Sequence, residues 1–306
     1  MGVAVRREDD GEVVTEGFDL EPPTGRWAKW PLMRGVVAIR QAVTTGQKAM
    51  AIGERLRWEE IREDDGDGEE EPEGIGFWGK VAIGLGALLG AGIQIAAFRV
   101  GPIVIAKEAG LTGAAFIVAD AAIRLALLLG TLLVLSWFRP FRKILKYHGA
   151  EHQAIAAHES RSPLTAAAAA GFTRFHPRCG TSFLVVSALV SIAVYGAVLA
   201  ITGVFTYPAL IATRLLGAPI VTAIAFEIQR QAALHPDGPM RFLSLPGLWA
   251  QRLTTKEPTH EELEVACAAL AEALATDRAE AAEGVATAPD APRESGRTVG
   301  EPQPSV

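Results

Sequence analysis

Apolar residues in this chain fall into long blocks separated by polar stretches. Blocks near 78–98, 114–138 and 181–203 each match the roughly 20 helical residues needed to cross a hydrocarbon core of about 30 Å. They predict three transmembrane helices. A fourth block, 208–228, is interrupted by Arg214 and by Gly217-Ala218-Pro219, so it reads either as a full span with Arg214 snorkelling outward or as a re-entrant segment. The fold class is therefore mainly α: a multi-span helical membrane protein with three to four transmembrane helices.

The flanks carry weaker patterns. Val3-Ala4-Val5, a turn at Asp9-Asp10-Gly11 and Glu12-Val13-Val14 predict a small N-terminal hairpin, which needs another element to pack against. Residues 32–52 place Met33, Val36, Val37, Ile39, Ala42 and Val43 at helical intervals, as suits a helix on the membrane surface or one packed on the bundle. Near the other end, Thr259 and Glu262 form a capping-box pattern, and Leu263, Ala266, Cys267, Leu270 and Leu274 recur on one face of an amphipathic helix. Five segments follow: an N-terminal cytoplasmic part (1–58), an acidic linker (59–74), a transmembrane and metal-site domain (75–256), the amphipathic helix (257–279) and a disordered tail (280–306).

Composition narrows the class. The 306 residues are 49% hydrophobic and 21% charged, which suits lipid better than an all-aqueous surface. Two cysteines exclude a disulfide framework, and a net charge of −6 argues against a nucleic-acid binder. The densest basic cluster beside a span, Arg139, Arg142, Lys143 and Lys146, puts the loop after the second span in the cytoplasm. Both termini then lie inside, and residues 1–30 lack the apolar core of a signal peptide.

Candidate chemistry concentrates in that cytoplasmic loop. In Tyr147-His148-Gly149-Ala150-Glu151-His152 a helix brings His148, Glu151 and His152 to one face, within reach of one ion. H-x-x-E-H is also the inverzincin pattern, in which two histidines hold zinc and the glutamate activates water. Phe175-His176-Pro177-Arg178-Cys179-Gly180 adds two donors, His176 and Cys179, on a turn stiffened by Pro177. Cys179 is either a ligand or a small buried thiol. Ser162 and Pro163 fit the N-cap and first position of a short helix over Ala166–Ala170, which would fold the two motifs together.

Three polar groups lie in or beside the apolar blocks. Asp120 and Arg124 are one turn apart and read as an ion pair, with a translocation path as the lesser alternative. Glu227 ends the fourth block near the expected site, and is either a third ligand, a group orienting a histidine, or a partner of Arg230.

The blocks Tyr147–His152, His176-Pro177-Arg178-Cys179-Gly180-Thr181-Ser182-Phe183, Phe226-Glu227-Ile228 and Pro246-Gly247-Leu248-Trp249 with Gln251–Thr255 resemble the YqhQ-like family of bacterial membrane proteins. The resemblance covers about Val3 to Leu274 and implies a multi-span inner-membrane protein. It also implies metal-site motifs at His148, Glu151, His152 and His176, extending to Cys179. The chain departs from the family pattern in lacking a glycine-rich segment before the first strand, and in carrying Ala166–Ala170 where polar positions usually precede the second block.

Together these features predict a metal-dependent hydrolase of the bacterial inner membrane, using a divalent ion, zinc by its donors. The site faces the cytoplasm, and the partners are membrane lipid and the ion. His148 and His152 with His176 or Glu227 would hold the ion, Cys179 being a further candidate. Glu151 would be the general base unless it is itself a ligand. Arg178 would steady negative charge on the substrate, or bind lipid phosphate. The alternative is a metal-binding scaffold or sensor with a closed ligand shell; a transporter would need more polar residues along the spans.

Overall fold

The computed structural model describes residues 1–20, 25–65, 76–235 and 237–286. The hairpin forms as expected: β1 (Gly2–Arg6) pairs antiparallel with β2 (Val13–Gly17), Val3 opposite Glu16 and Val5 opposite Val14. A 3-10 turn at Arg26–Lys29 leads into helix α1 (Met33–Asp65). This helix runs past Glu59, so the start of the expected acidic linker is helical; residues 66–75 lie outside the described residues.

Among the described residues, four helices are long and apolar enough to cross a membrane. The first spans Val81–Glu108 and is built from α2 (Phe77–Ile95), a π turn (Ala96–Val100) and α3 (Gly101–Glu108). It extends beyond the expected 78–98 because Pro102 does not stop it. In the π turn Gly101 N–H donates to Ala96 O, five residues back, and the helix widens where proline removes a donor. Leu85, Leu88, Leu89 and Ile93 stand exposed on this span, as lipid-facing side chains do.

Gly110, at φ +74°, closes α3 while Leu111 N–H reaches back to Ala106 O. The chain then returns as α4 (Gly113–Leu135). Helix α5 (Arg139–Glu159) and the single turn α6 (Ala166–Ala169) follow. The N-cap of α6 is Thr165, whose side chain accepts from Ala168 N–H; Ser162 was expected there, but its N–H instead bonds Ala157 O at the end of α5. Helix α7 (Gly180–Thr202) ends at Gly203, φ +63°, and α8 (Tyr207–Leu234) continues unbroken through Pro219.

The fourth apolar block is thus one long helix, not a re-entrant segment, and Arg214 does not snorkel. It is 4% exposed and donates to Asp120 Oδ2 at 2.5 Å. Val186, Val190 and Tyr195 of α7 pack on Val221 and Ala225 of α8, and Phe116 of α4 fills the gap beside Leu210.

Two more helices follow: α9 (Met240–Thr254), which packs on α7 and α8, and α10 (His260–Ala286), which runs past the expected 279 so that the start of the expected disordered tail is helical; residues 287–306 lie outside the described residues. The capping box holds, with Glu262 Oε2 accepting from Thr259 N–H at 2.6 Å. Leu263 and Cys267 of α10 bury against Ala150, Ala154 and Ala157 of α5 and Ala166 and Ala169 of α6. The hairpin finds its support on α10: a Cβ on Gly2 would lie 2.1 Å from Ala269 O, and Arg6 pairs with Glu264. Helix α1 contacts both β1 and α8, so it is a packed helix.

Candidate metal centre

Helix α5 changes character along its length. Its first turns expose Arg139, Phe141, Arg142 and Lys143, whereas Gly149, Ala150, His152 and Gln153 are buried. Gly149 lets the chain after α9 press onto the helix: a Cβ there would stand 2.2 Å from Lys256 O. Lys256 N–H also donates to Leu145 O at 2.9 Å, fixing the contact.

That contact sets the histidines. His148 Nδ1 lies 2.8 Å from Thr254 O, and His152 Nδ1 lies 2.6 Å from Arg174 O. A carbonyl oxygen can only accept, so both Nδ1 atoms carry a proton; in the neutral rings each Nε2 has its lone pair turned toward the centre, and without an ion His148 Nε2 hydrogen-bonds Cys179. The rings are 4.5 Å apart between centroids.

Cys179 comes from the other motif. It is the N-cap of α7, with its Sγ accepting from Thr181 N–H at 3.4 Å, 3.0 Å from Thr181 Oγ1 and 3.2 Å from His148 Nε2. One donor atom from each of His148, His152 and Cys179 lies within 4.8 Å of the others. Burial alone would push the thiol up, but hydrogen bonds from His148, His152 and Thr181 outweigh it and bring the Cys179 value down to about 5. His148 is held above its usual value, first by its bond to Cys179 and against desolvation.

A polar clamp positions the turn that carries Cys179. Gln251 of α9 is fully buried; its Nε2 donates to His176 O and to Ser182 Oγ, both at 2.7 Å, and its Oε1 accepts from His176 N–H at 2.8 Å. Gln229 of α8 donates to Cys179 O at 3.0 Å. Arg174 donates to Thr255 O at 2.8 Å and to Glu257 Oε2 at 3.1 Å, holding the carbonyl that His152 uses. Gly247 brings α9 close to α7, since a Cβ there would meet Ser182 Cα at 2.6 Å.

The other expected site residues fall around this trio. His176 is buried beside His152, ring centroids 5.7 Å apart, but its Nδ1 accepts from Arg178 N–H at 3.3 Å and its Nε2 faces Glu159 at 3.6 Å. Its lone pair is therefore used locally, and desolvation followed by the neighbouring His152 lowers its basicity. Glu151 is exposed and stands outside the trio, although its charge acts on both His148 and His176. Arg178 pairs with Glu159, a partner the sequence did not suggest.

Glu227 is engaged mainly by Arg34, with the charge of Arg230 as a weaker influence, and it is not among the three grouped donors. It accepts from Arg34 Nε at 2.5 Å and from Leu32 N–H at 3.4 Å, tying α8 to the start of α1. Asp120 and Arg124 pair at 2.8 Å as expected, with Arg214 as an unforeseen third member. Gln251, Arg174 and the Thr254 carbonyl were missed as positioning groups. Gln251 and Thr254 lay within a recognised block, but a backbone acceptor leaves no side-chain signature.

The family described as "Protein of unknown function (DUF1385)" matches residues 30–276. The chain is 30% identical over 253 residues to the "Uncharacterized protein YqhQ" of Bacillus subtilis (strain 168), covering 80% of this chain and 77% of that relative. No solved structure matches. The helical bundle, the motif blocks and this match agree, and the chain belongs to the DUF1385 family, the YqhQ-like membrane proteins.

Proposed function

We propose that the protein is a metal-dependent hydrolase at the inner face of the bacterial plasma membrane, with His148, His152 and Cys179 holding one divalent ion. The observation that carries this reading is the commitment of both Nδ1 atoms to backbone carbonyls, which leaves two Nε2 lone pairs converging on a low-pKa thiol. Histidine ligands of metals are oriented in this way by their second nitrogen. Two imidazoles and a thiolate suit zinc, and three protein ligands leave a coordination position open, as catalytic zinc sites do. When bound, such an ion supplies Lewis acidity and brings the pKa of water to about 7.

The chain's own groups supply the rest. Glu151, one turn from His148 and open to solvent, takes the proton of the attacking water on its carboxylate and returns it to the leaving group. Arg178, shared with Glu159, is the cation beside the turn that would steady developing negative charge. The cytoplasmic placement is supported by the exposed basic start of α5, at the end of α4 from which the site is built.

A second reading has its own support. Cys179 Sγ at 3.2 Å from His148 Nε2, with His148 oriented by Thr254 O, is also the arrangement of a thiol nucleophile and its base.

Hydrolysis of p-nitrophenyl acetate and p-nitrophenyl phosphate by zinc-loaded protein in mild detergent separates the possibilities. The metal reading expects turnover that chelation abolishes, and a loss of about 10²–10⁴-fold in Glu151→Gln with metal content unchanged. Turnover that survives chelation but not iodoacetamide would select the thiol. A zinc-loaded protein without turnover on any hydrolysable probe would leave a metal-binding scaffold or sensor.

A further inference from the structure

A second polar group lies within the spans, on the side away from the histidines. Asp120 Oδ2 of α4 accepts from Arg124 at 2.8 Å and from Arg214 of α8 at 2.5 Å. Asp120 is 2% exposed and Arg214 4%. Two guanidiniums thus share one carboxylate at hydrocarbon depth, and arginine does not shed its proton. The excess positive charge is costly there.

The local partners do not remove that excess. Arg124 donates to Ser191 Oγ at 3.2 Å, and the Tyr195 ring lies 4.0 Å from the Arg214 guanidinium. Neither carries a negative charge. The Nε atoms of Arg124 and Arg214 and Asp120 Oδ1 are buried with no hydrogen-bond partner.

Arg214 also lines a cavity of about 310 Å³ between α4, α7 and α8. The other walls are apolar or hydroxylic: Ile117, Val198, Leu199 and Leu210 with Thr202 and Thr213. The cavity lies at the α7–α8 turn, the end of α7 opposite Cys179, and Thr202, Val204 and Leu216 at its rim are exposed. Ligand cavities begin at about this size, and they combine apolar walls with a few convergent polar groups.

We infer that this cavity binds an amphiphile with one anionic head group, the head on Arg214 and the chain along the walls from α7 and α8. A fatty-acyl carboxylate and a lipid phosphate share that chemistry. The bound anion balances the second guanidinium, and the apolar walls need no rearrangement to take a hydrocarbon chain. The site is separate from the histidine centre and does not depend on what that centre does.

The test uses the full chain in dodecyl maltoside and the fluorescence of cis-parinaric acid, an anionic single-chain probe, beside its uncharged methyl ester. The acid should bind saturably at one per chain, and the ester about tenfold or more weakly, since a charge-assisted bond is lost. Arg214→Gln keeps the Asp120–Arg124 pair and should weaken the acid by a similar factor. Leu199→Trp fills the cavity without touching the ions and should do the same. Excess sodium phosphate should not displace the acid. Equal binding of acid and ester, or undiminished binding by Leu199→Trp, overturns the proposal. Displacement by phosphate would do so as well, by marking a site for a soluble anion. The acid–ester comparison on the unaltered protein and the Leu199 variant keep it falsifiable if Arg214→Gln does not fold.

Discussion

His148 Nε2 lies 3.2 Å from Cys179 Sγ, although one residue sits inside α5 and the other caps α7. Two motifs separated by a loop and a single helical turn are thereby joined into one centre. The proposed chemistry depends on this junction.

The junction has a pH signature. In metal-free protein Cys179, at about 5, is thiolate at neutral pH, so its alkylation by iodoacetamide should change little above about pH 6 and fall steeply below pH 5. His148→Ala removes the main partner and should raise the midpoint toward the usual 9.0. The folded value is below the usual 9.0, so the stability that Cys179 contributes is full above that value and lost as pH falls through about 5. His148 is raised, so its contribution runs the other way: full below 6.5 and lost as pH rises through the raised value. Cys267, pushed up by burial alone, should stay unreactive and serves as the internal control.

Gly149→Ala tests how the histidines are aimed. Alanine normally favours a helix over glycine by about 1 kcal/mol, but here the methyl would stand 2.2 Å from Lys256 O. Overpacking should win, costing about 1–3 kcal/mol in detergent unfolding and moving the Thr254 carbonyl off His148. A stabilised variant would show that the segment after α9 yields freely.

Asp120→Asn leaves the buried Arg214 and the partly buried Arg124 without a counter-ion and should cost about 3–5 kcal/mol, read as a lower melting temperature. Arg214→Gln, which leaves a balanced pair, should cost clearly less. A reversed order would contradict the charge account of the bundle.

Glu227→Gln should leave bound metal unchanged, because its carboxylate is engaged with Arg34. It should instead loosen α1, raising protease cleavage there. Loss of metal would return Glu227 to the ligand set.

The sequence showed the spans, the hairpin, the capping box at Thr259 and the two blocks that carry His148, His152 and Cys179, because each is a local pattern of period, turn or donor type. Arg214 was misjudged because its counter-ion comes from another helix. The main partner of Glu227 was missed for the same reason: proximity to Arg230 is visible along the chain, and proximity to Arg34 is not. Glu151 was read as the general base, with ligation as the alternative, and helical spacing alone could not choose between them because it does not show that Cys179 arrives at the same pair of imidazoles. The carbonyls of Thr254 and Arg174 decide the histidine tautomers, and every residue has a carbonyl.

The most direct measurement is elemental analysis of protein purified in mild detergent, unaltered beside Cys179→Ser and the double variant His148→Ala, His152→Ala. The account predicts about one divalent ion per unaltered chain, none in the double variant and a weakened site in Cys179→Ser. Equal metal content in all three would contradict it.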